Sequence, residues 1–224
     1  MQPEQYNRTH IVPHGLNPSD FQLCEDGGYF LWVAALDWGW EEKGLHIFVE
    51  LAKRHPERRF VAYGHAQKKP EVLARLRDET RGLANFEYGS ALIRGAEHTA
   101  AFCGATAFFM PTQPSIGESF GLTVIEALSK GVPVITSTAG APAEILGVPG
   151  RHGTVEVGAA CATLDEYDAA LRHFSARTPE QSARVQAYAL AHYSSHVVVD
   201  AMLGLSLELL RGEKVCDSAV PEAR

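Results

Sequence analysis

The chain has 224 residues, 46% hydrophobic and 21% charged, which suits a folded protein with a full core and excludes a disordered polar chain. A formal net charge of −7 without any basic run argues against nucleic acid as a partner. No stretch approaches 18 consecutive apolar residues and the start MQPEQYNRTH has no apolar core, so neither a membrane span nor a secretion signal is expected.

Four cysteines, Cys24, Cys103, Cys161 and Cys216, are scattered without a CxxC, which reads as free thiols in a reducing cytoplasm. A cytoplasmic location is the expectation. Residues 1–18 read as linker and first-strand region: a short apolar run from Thr9 to Pro13, then the turn-forming His14-Gly15-Leu16-Asn17-Pro18. Tyr29 to Leu36 is a buried-strand candidate, followed by a loop rich in Trp and Glu from Asp37 to Gly44. Leu45, Phe48, Val49 and Ala52 recur at helical spacing, predicting a helix over Leu45–Arg54 that stops at His55-Pro56. Arg59 to Tyr63 reads as a strand closing on Gly64, and Glu71 to Thr80 as a helix. Asn85 to Tyr88 is a third short strand, ending at Gly89, and Arg94 to Cys103 a further helix.

The stretch from Ala107 to Ala139 reads as a complete βαβ unit. An apolar run from Ala107 to Met110 breaks at Pro111, a loop of Pro, Ser and Gly follows, and Phe120 to Lys130 is amphipathic. After the turn at Gly131-Val132-Pro133 comes the β-branched run Val134 to Thr136. Beyond it lie one helical turn at Ala143 to Leu146, a weak strand at Gly153 to Val157, and helices at Leu164–Phe174, Pro179–His192 and Val197–Leu210. The strands are short continuous apolar runs alternating with helices, which implies an α/β fold with a parallel, doubly wound sheet covered on both faces. Residues 19–212 form the domain in this reading, and residues 213–224 a flexible polar tail.

In such sheets ligands bind at the carboxyl ends of the strands, so the loop of this βαβ unit is the candidate site. Gly117 and Gly121 admit close approach of phosphate oxygens to helix amides at its N-terminus. Glu118 is placed to accept hydrogen bonds from sugar hydroxyls, or else is a solvated loop residue. Glu126 is placed for the two hydroxyls of a ribose, or else completes a capping box begun by Thr123. His10 with His14 and His192 with His196 have ligand-like spacing, yet neither pair has a carboxylate or cysteine set beside it, so no metal site is expected.

The run Glu118-Ser119-Phe120-Gly121-Leu122-Thr123-Val124-Ile125-Glu126-Ala127-Leu128, with Lys130-Gly131-Val132-Pro133-Val134-Ile135, resembles the E-x7-E signature of retaining GT-B glycosyltransferases, in particular the group 1 or family 4 enzymes. The resemblance extends to His10–Asn17, similar to an I-P-N-G-V-D segment between the two domains of such enzymes, to Glu42-Lys43-Gly44, and to Gly140–Ile145. It implies a single Rossmann-like sheet, the second or donor domain of the GT-B fold, acting on a nucleoside-diphosphate sugar in carbohydrate biosynthesis without metal or other cofactor. Lys43 would pair with the diphosphate, and the backbone of Phe120, Gly121 and Leu122 would hold its oxygens. Glu118 would face the donor sugar and Glu126 the ribose, while the loops after Gly64 and Gly89 would frame the base.

Two departures stand out. Where the family carries G-R-L after its first strand, this chain has Ala34-Ala35-Leu36, so a bidentate phosphate partner is missing. The acceptor-binding half is also absent from this sequence, so activity implies a separate or removed acceptor domain. The apolar residues Val198, Met202, Leu205 and Leu209 then suit either packing on the chain's own sheet or contact with an acceptor-domain protein or a second copy. The alternative function is a degenerate domain serving as a weak nucleotide-binding or protein-interaction module, which Ala35 favours. The tryptophans of the Asp37–Gly44 loop are core residues or a stacking wall.

Overall fold

Seven strands form one sheet in the order β3-β2-β1-β4-β5-β7-β6. A computed structural model of the chain describes residues 12–90, 95–113, 115–116, 118–148 and 153–211. The strands are β1 (Tyr29–Val33), β2 (Arg59–Tyr63), β3 (Phe86–Gly89), β4 (Ala105–Met110), β5 (Val134–Ser137), β6 (Gly153–Val155) and β7 (Gly158–Cys161). The helices are α1 (Leu45–Arg54), α2 (Pro70–Glu79), α3 (Ala96–Cys103), α4 (Leu122–Ser129), α5 (Ala141–Ile145), α6 (Leu164–His173), α7 (Pro179–Tyr193) and α8 (Ser195–Arg211). All strand pairs are parallel except β6 with β7, so the expected parallel sheet carries one antiparallel edge. The order steps outward from β1 to β3 and then returns to β4, which makes the β1/β4 boundary the topological switch point.

The central strands β1, β2, β4 and β5 are buried on both faces, which is why they are apolar runs. On one face Phe48 of α1 packs against Phe60 and Phe109 at ring separations of 5.2 and 5.4 Å, joined by residues of α2 and α6. On the other, Phe108 packs with Phe102 at 5.2 Å beneath Val124, Ile125 and Val185 of α4 and α7. Removing one such ring costs about 3–5 kcal/mol. The helices next to the switch point, α1 and α4, therefore leave on opposite faces and a crevice opens between their N-termini.

Several expectations need correction. The first strand ends at Val33 rather than Leu36, because Leu36–Trp38 winds into a 3₁₀ turn. The carboxylate of Asp37 in that turn is buried and accepts the amides of Gln67, Lys68 and Lys69 at 3.3, 2.9 and 2.9 Å, tying the turn to the loop after β2. Strand β7, Gly-Ala-Ala-Cys, has no apolar pattern of its own and exists through its parallel pairing with β5. The all-thiol reading also fails: Cys24 and Cys103, 79 residues apart, form a disulfide with Cα atoms 5.1 Å apart. The loop before β1 runs beside the end of α3, where Gly27 N donates to Gly104 O at 2.9 Å, a proximity invisible in the spacing. Cys161 is a buried free thiol, and Cys216, like the tail after residue 211, lies outside the described residues.

Helix α8 buries only Val198 among its residues. Met202 and Leu209 of the anticipated stripe are exposed, and Leu210 is 84% exposed, so the helix does not pack along its own sheet. Among the described residues no helix is long and apolar enough to cross a membrane. Leu16 bridges Ser194 in parallel, with Leu16 N donating to Tyr193 O at 2.8 Å and Ser195 N to Leu16 O at 2.7 Å. The lead-in segment therefore meets the α7/α8 junction.

Candidate functional site

Strands β1 and β4 lie side by side, Trp32 opposite Phe109, so the loops that leave them face each other across the switch point. The loop after β1 is held by its own backbone: Lys43 N donates to Trp38 O at 3.0 Å, and the Trp32 indole donates to Lys43 O at 3.1 Å. Gly44 then caps α1 with φ +68°, and a Cβ there would sit 2.1 Å from the carbonyl oxygen of Pro111. Only glycine lets the two loops approach this closely. Gln113 N donates to Glu42 O at 2.9 Å and completes the seam.

The loop after β4 delivers Glu118 to the same place. Its carbonyl accepts Ala141 N at 3.0 Å, and its carboxylate Oε2 accepts the Lys43 ammonium at 2.6 Å. These side chains are 23% and 21% exposed, so the pair is partly desolvated yet reachable. Helix α4 begins immediately after, capped by Gly121 at φ +84°; its first hydrogen bond runs from Val124 N to Gly121 O at 2.9 Å, so the amides of Leu122 and Thr123 precede the ladder and face outward from the helix end. Amides, ammonium and carboxylate line a cavity of 380 Å³ whose wall includes His14, Ala35, Lys43, Thr112, Glu118, and Phe120 to Leu122. Among the described residues lining it, Lys43 and His14 are the side chains able to carry positive charge. The Thr112 hydroxyl is buried and finds no hydrogen-bond partner among the described residues.

The structure thus brings Lys43, Glu118, Phe120, Gly121 and Leu122 into one cavity, while Gly117 lies outside the described residues. Glu126 lines a separate 280 Å³ cavity, with His98 Nε2 3.6 Å from its Oε2. Lys130 lines that cavity too, donating to the backbone carbonyl of Asp20; burial pushes its ammonium pKa down, against the opposing charges of Asp20 and Glu126. The capping box begun by Thr123 does not form, since Gly121 is the N-cap and the Thr123 hydroxyl lies 3.8 Å from Met110 Sδ. A complete box appears instead at Thr163 and Glu166, which start α6. Gly64 and Gly89 stand at the ends of β2 and β3, outside both cavities, with the Tyr88 hydroxyl donating to Gly64 O at 2.6 Å.

Trp40 is a core residue and Trp38 is 53% exposed beneath the Lys69 ammonium at 4.5 Å; neither lines the cavity. Sequence reasoning missed His14 as a wall residue, because it reads as part of a turn; its ring packs edge-on against Phe120 at 4.9 Å. Phe120 in turn contacts Tyr193 at 6.4 Å. His10 lies outside the described residues, His192 Nδ1 lies 2.8 Å from Tyr188 O, and no group of three metal-ligating side chains occurs among the described residues.

Over 62 residues the chain is 44% identical to sucrose synthase 2 of Oryza sativa subsp. japonica, a match spanning 27% of this chain and 7% of that protein. Over 98 residues it is 30% identical to a processive diacylglycerol alpha-glucosyltransferase of Acholeplasma laidlawii, spanning 42% of this chain and 27% of that one. Among solved structures it resembles HepE of Anabaena in complex with UDP-glucose (TM-score 0.68, 15% identity, 91% of this chain and 57% of that chain). It also resembles sucrose-phosphate synthase of Thermosynechococcus elongatus (TM-score 0.69, 18% identity, 92% and 53%). The chain spans little more than half the length of these solved chains, and the likeness shows the fold, a Rossmann-like domain of GT-B type. A family model described as glycosyl transferases group 1 matches residues 27–172, a span holding all the described strands and both loops of the cavity, and the chain therefore belongs to the glycosyl transferases group 1 family.

Proposed function

We propose that the chain is the donor half of a retaining GT-B glycosyltransferase and holds a nucleoside-diphosphate sugar at the β1/β4 corner. The observation that carries this reading is the Lys43–Glu118 pair beside the α4 N-terminus, inside one cavity at the switch point. A departing nucleoside diphosphate gathers negative charge, which the Lys43 ammonium and the α4 amides offset without moving. Glu118 accepts from a hydroxyl of the donor sugar, Glu126, farther along α4 in the neighbouring cavity, accepts from the ribose, and the loops after Gly64 and Gly89, at the ends of β2 and β3 beyond both cavities, frame the base. HepE, which shares the fold, is described in complex with UDP and with UDP-glucose, and this supports a nucleotide-sugar donor.

Turnover needs an acceptor-binding half. The exposed apolar residues of α8, Met202, Leu209 and Leu210 among them, suit contact with it. Ala35 on the cavity wall in place of an arginine weakens donor binding by about 1.5–3 kcal/mol, roughly tenfold to a hundredfold.

Calorimetry of UDP, GDP, ADP and their sugars against the chain tests the reading. Binding in the micromolar-to-millimolar range that Lys43→Ala and Glu126→Gln both abolish supports it. Silence across the whole panel refutes the donor site and leaves the interaction module.

A further inference from the structure

A diphosphate brings at least two negative charges into the cavity, yet the ammonium of Lys43 is already shared with Glu118 at 2.6 Å. A balanced site calls for a second cation. Among the described residues on the wall, His14 is the other side chain able to supply it. Its imidazole is not loose: the ring rests edge-on against Phe120 at 4.9 Å, and the segment that carries it is hydrogen-bonded at Leu16 to the α7/α8 junction. Phe120 directly precedes the N-cap of α4, so the imidazole stands beside the amides that face the phosphates.

We infer that His14, as imidazolium, supplies the second positive charge for the donor diphosphate and makes diphosphate affinity rise as pH falls. This rests on the donor-site reading above. Histidine is the side chain that most readily changes charge near neutrality, which makes pH the variable that tests this role. The titratable groups on the elements around His14 include Lys43 and Glu118 on the cavity wall, Tyr193, Tyr188 and His192 on α7 with Glu144 of α5 acting on Tyr193, and His196 and Asp200 near the start of α8. Lys43 and Glu118 pair with each other, and His192 Nδ1 engages the Tyr188 carbonyl. Burial, with Tyr188 beside it, holds the Tyr193 hydroxyl protonated far above its usual range. His196, at the start of α8, is exposed and lines neither cavity.

Affinity is measured by calorimetry at pH 5.5, 7.0 and 8.5 for wild type, His14→Gln, His14→Lys and Lys43→Ala. The probes are UDP, GDP, ADP and the corresponding sugar nucleotides. The terminal phosphate of a free nucleoside diphosphate itself titrates in this range. The readout is therefore the ratio of wild-type to His14→Gln affinity, in which ligand ionisation and the other histidines cancel. That ratio is expected to rise about fivefold to tenfold between pH 8.5 and pH 5.5, as a charge-assisted contact is gained. His14→Lys is expected to hold the low-pH affinity at pH 8.5, while melting temperatures stay within a few degrees of wild type. A ratio that does not change with pH, while Lys43→Ala still weakens binding, overturns the role of His14 alone. No binding by any probe at any pH overturns both this inference and the donor site.

Discussion

Gly44 offers the sharpest test of how the site is built, because its backbone cost can be separated from its packing cost. Gly44 and Gly82 both sit in the left-handed region, at φ +68° and +83°. An alanine there costs about 1–2 kcal/mol of backbone strain, offset by about 0.4–1 kcal/mol from the stiffened unfolded chain. Around Gly82 a new methyl meets nothing within 4 Å, so Gly82→Ala should destabilise by about 1 kcal/mol or less. At Gly44 the methyl would stand 2.1 Å from the Pro111 carbonyl oxygen and 2.7 Å from its ring, both parts of the second site loop. Relieving that overlap pushes the loops apart at a further cost of about 1–3 kcal/mol or more. With a urea slope of about 1–3 kcal/mol/M, the two variants should differ in unfolding midpoint by roughly 1 M. Because Lys43 precedes Gly44, only Gly44→Ala should also weaken nucleotide-sugar binding, by more than about tenfold. Equal midpoints for the two alanines, or full affinity in Gly44→Ala, would refute the claim that this contact sets the spacing of the two loops.

Asp37 should mark the acid limit of the loop after β1. Burial works to raise its carboxyl pKa, but the amides of Lys68, Lys69 and Gln67 outweigh it and the net shift is downward. A depressed folded-state value means stabilisation present above the ordinary carboxylate range and lost as pH falls through the folded-state value. The stability advantage of wild type over Asp37→Asn in urea should therefore be constant from pH 5 to 8 and decline as pH falls below the ordinary carboxylate range; an advantage that stays undiminished in acid contradicts the assignment. Closing a loop of 79 residues by the Cys24–Cys103 bond should contribute about 4–5 kcal/mol by chain entropy. Cys103→Ser should lower the urea midpoint accordingly and make it insensitive to reductant. Cys161, whose thiol is pushed up to about 12 by burial and then by Glu166, should stay unalkylated at pH 8 until the chain unfolds, as peptide mass spectrometry would show.

Local signals in the sequence located elements whose causes are local. Leu45–Arg54 carries both its apolar spacing and its His55-Pro56 stop within a dozen residues, and the helix forms over that span. Strand β2 likewise matches its apolar run from Arg59 to Tyr63. Strand β7 was illegible because Gly158 is selected by a neighbour: a Cβ there would lie 2.0 Å from Val134 O. The same limit applies to the site. The residues around Glu118 and Gly121 could be singled out from one stretch, but their partner Lys43 lies 75 residues away and was placed only by resemblance. Their arrangement in one cavity, the entry of His14 into it, and the Cys24–Cys103 pairing all depend on which loops the sheet order brings together. The Thr163–Glu166 box, by contrast, has a local cause and is legible as Thr-x-x-Glu at the start of α6.

The bridge between Leu16 and Ser194 has a mechanical consequence. The strand-like lead-in and the α7/α8 junction are joined by two backbone hydrogen bonds, and both flank Phe120 through His14 and Tyr193. A torque that swings these two segments apart loads that pair of bonds before it reaches the sheet, whose strands are held by whole ladders. The rings that flank the bridge, His14 and Tyr193, both meet Phe120, one residue from the glycine that caps α4. A load on the edge of the domain is thus coupled through Phe120 to the wall of the cavity.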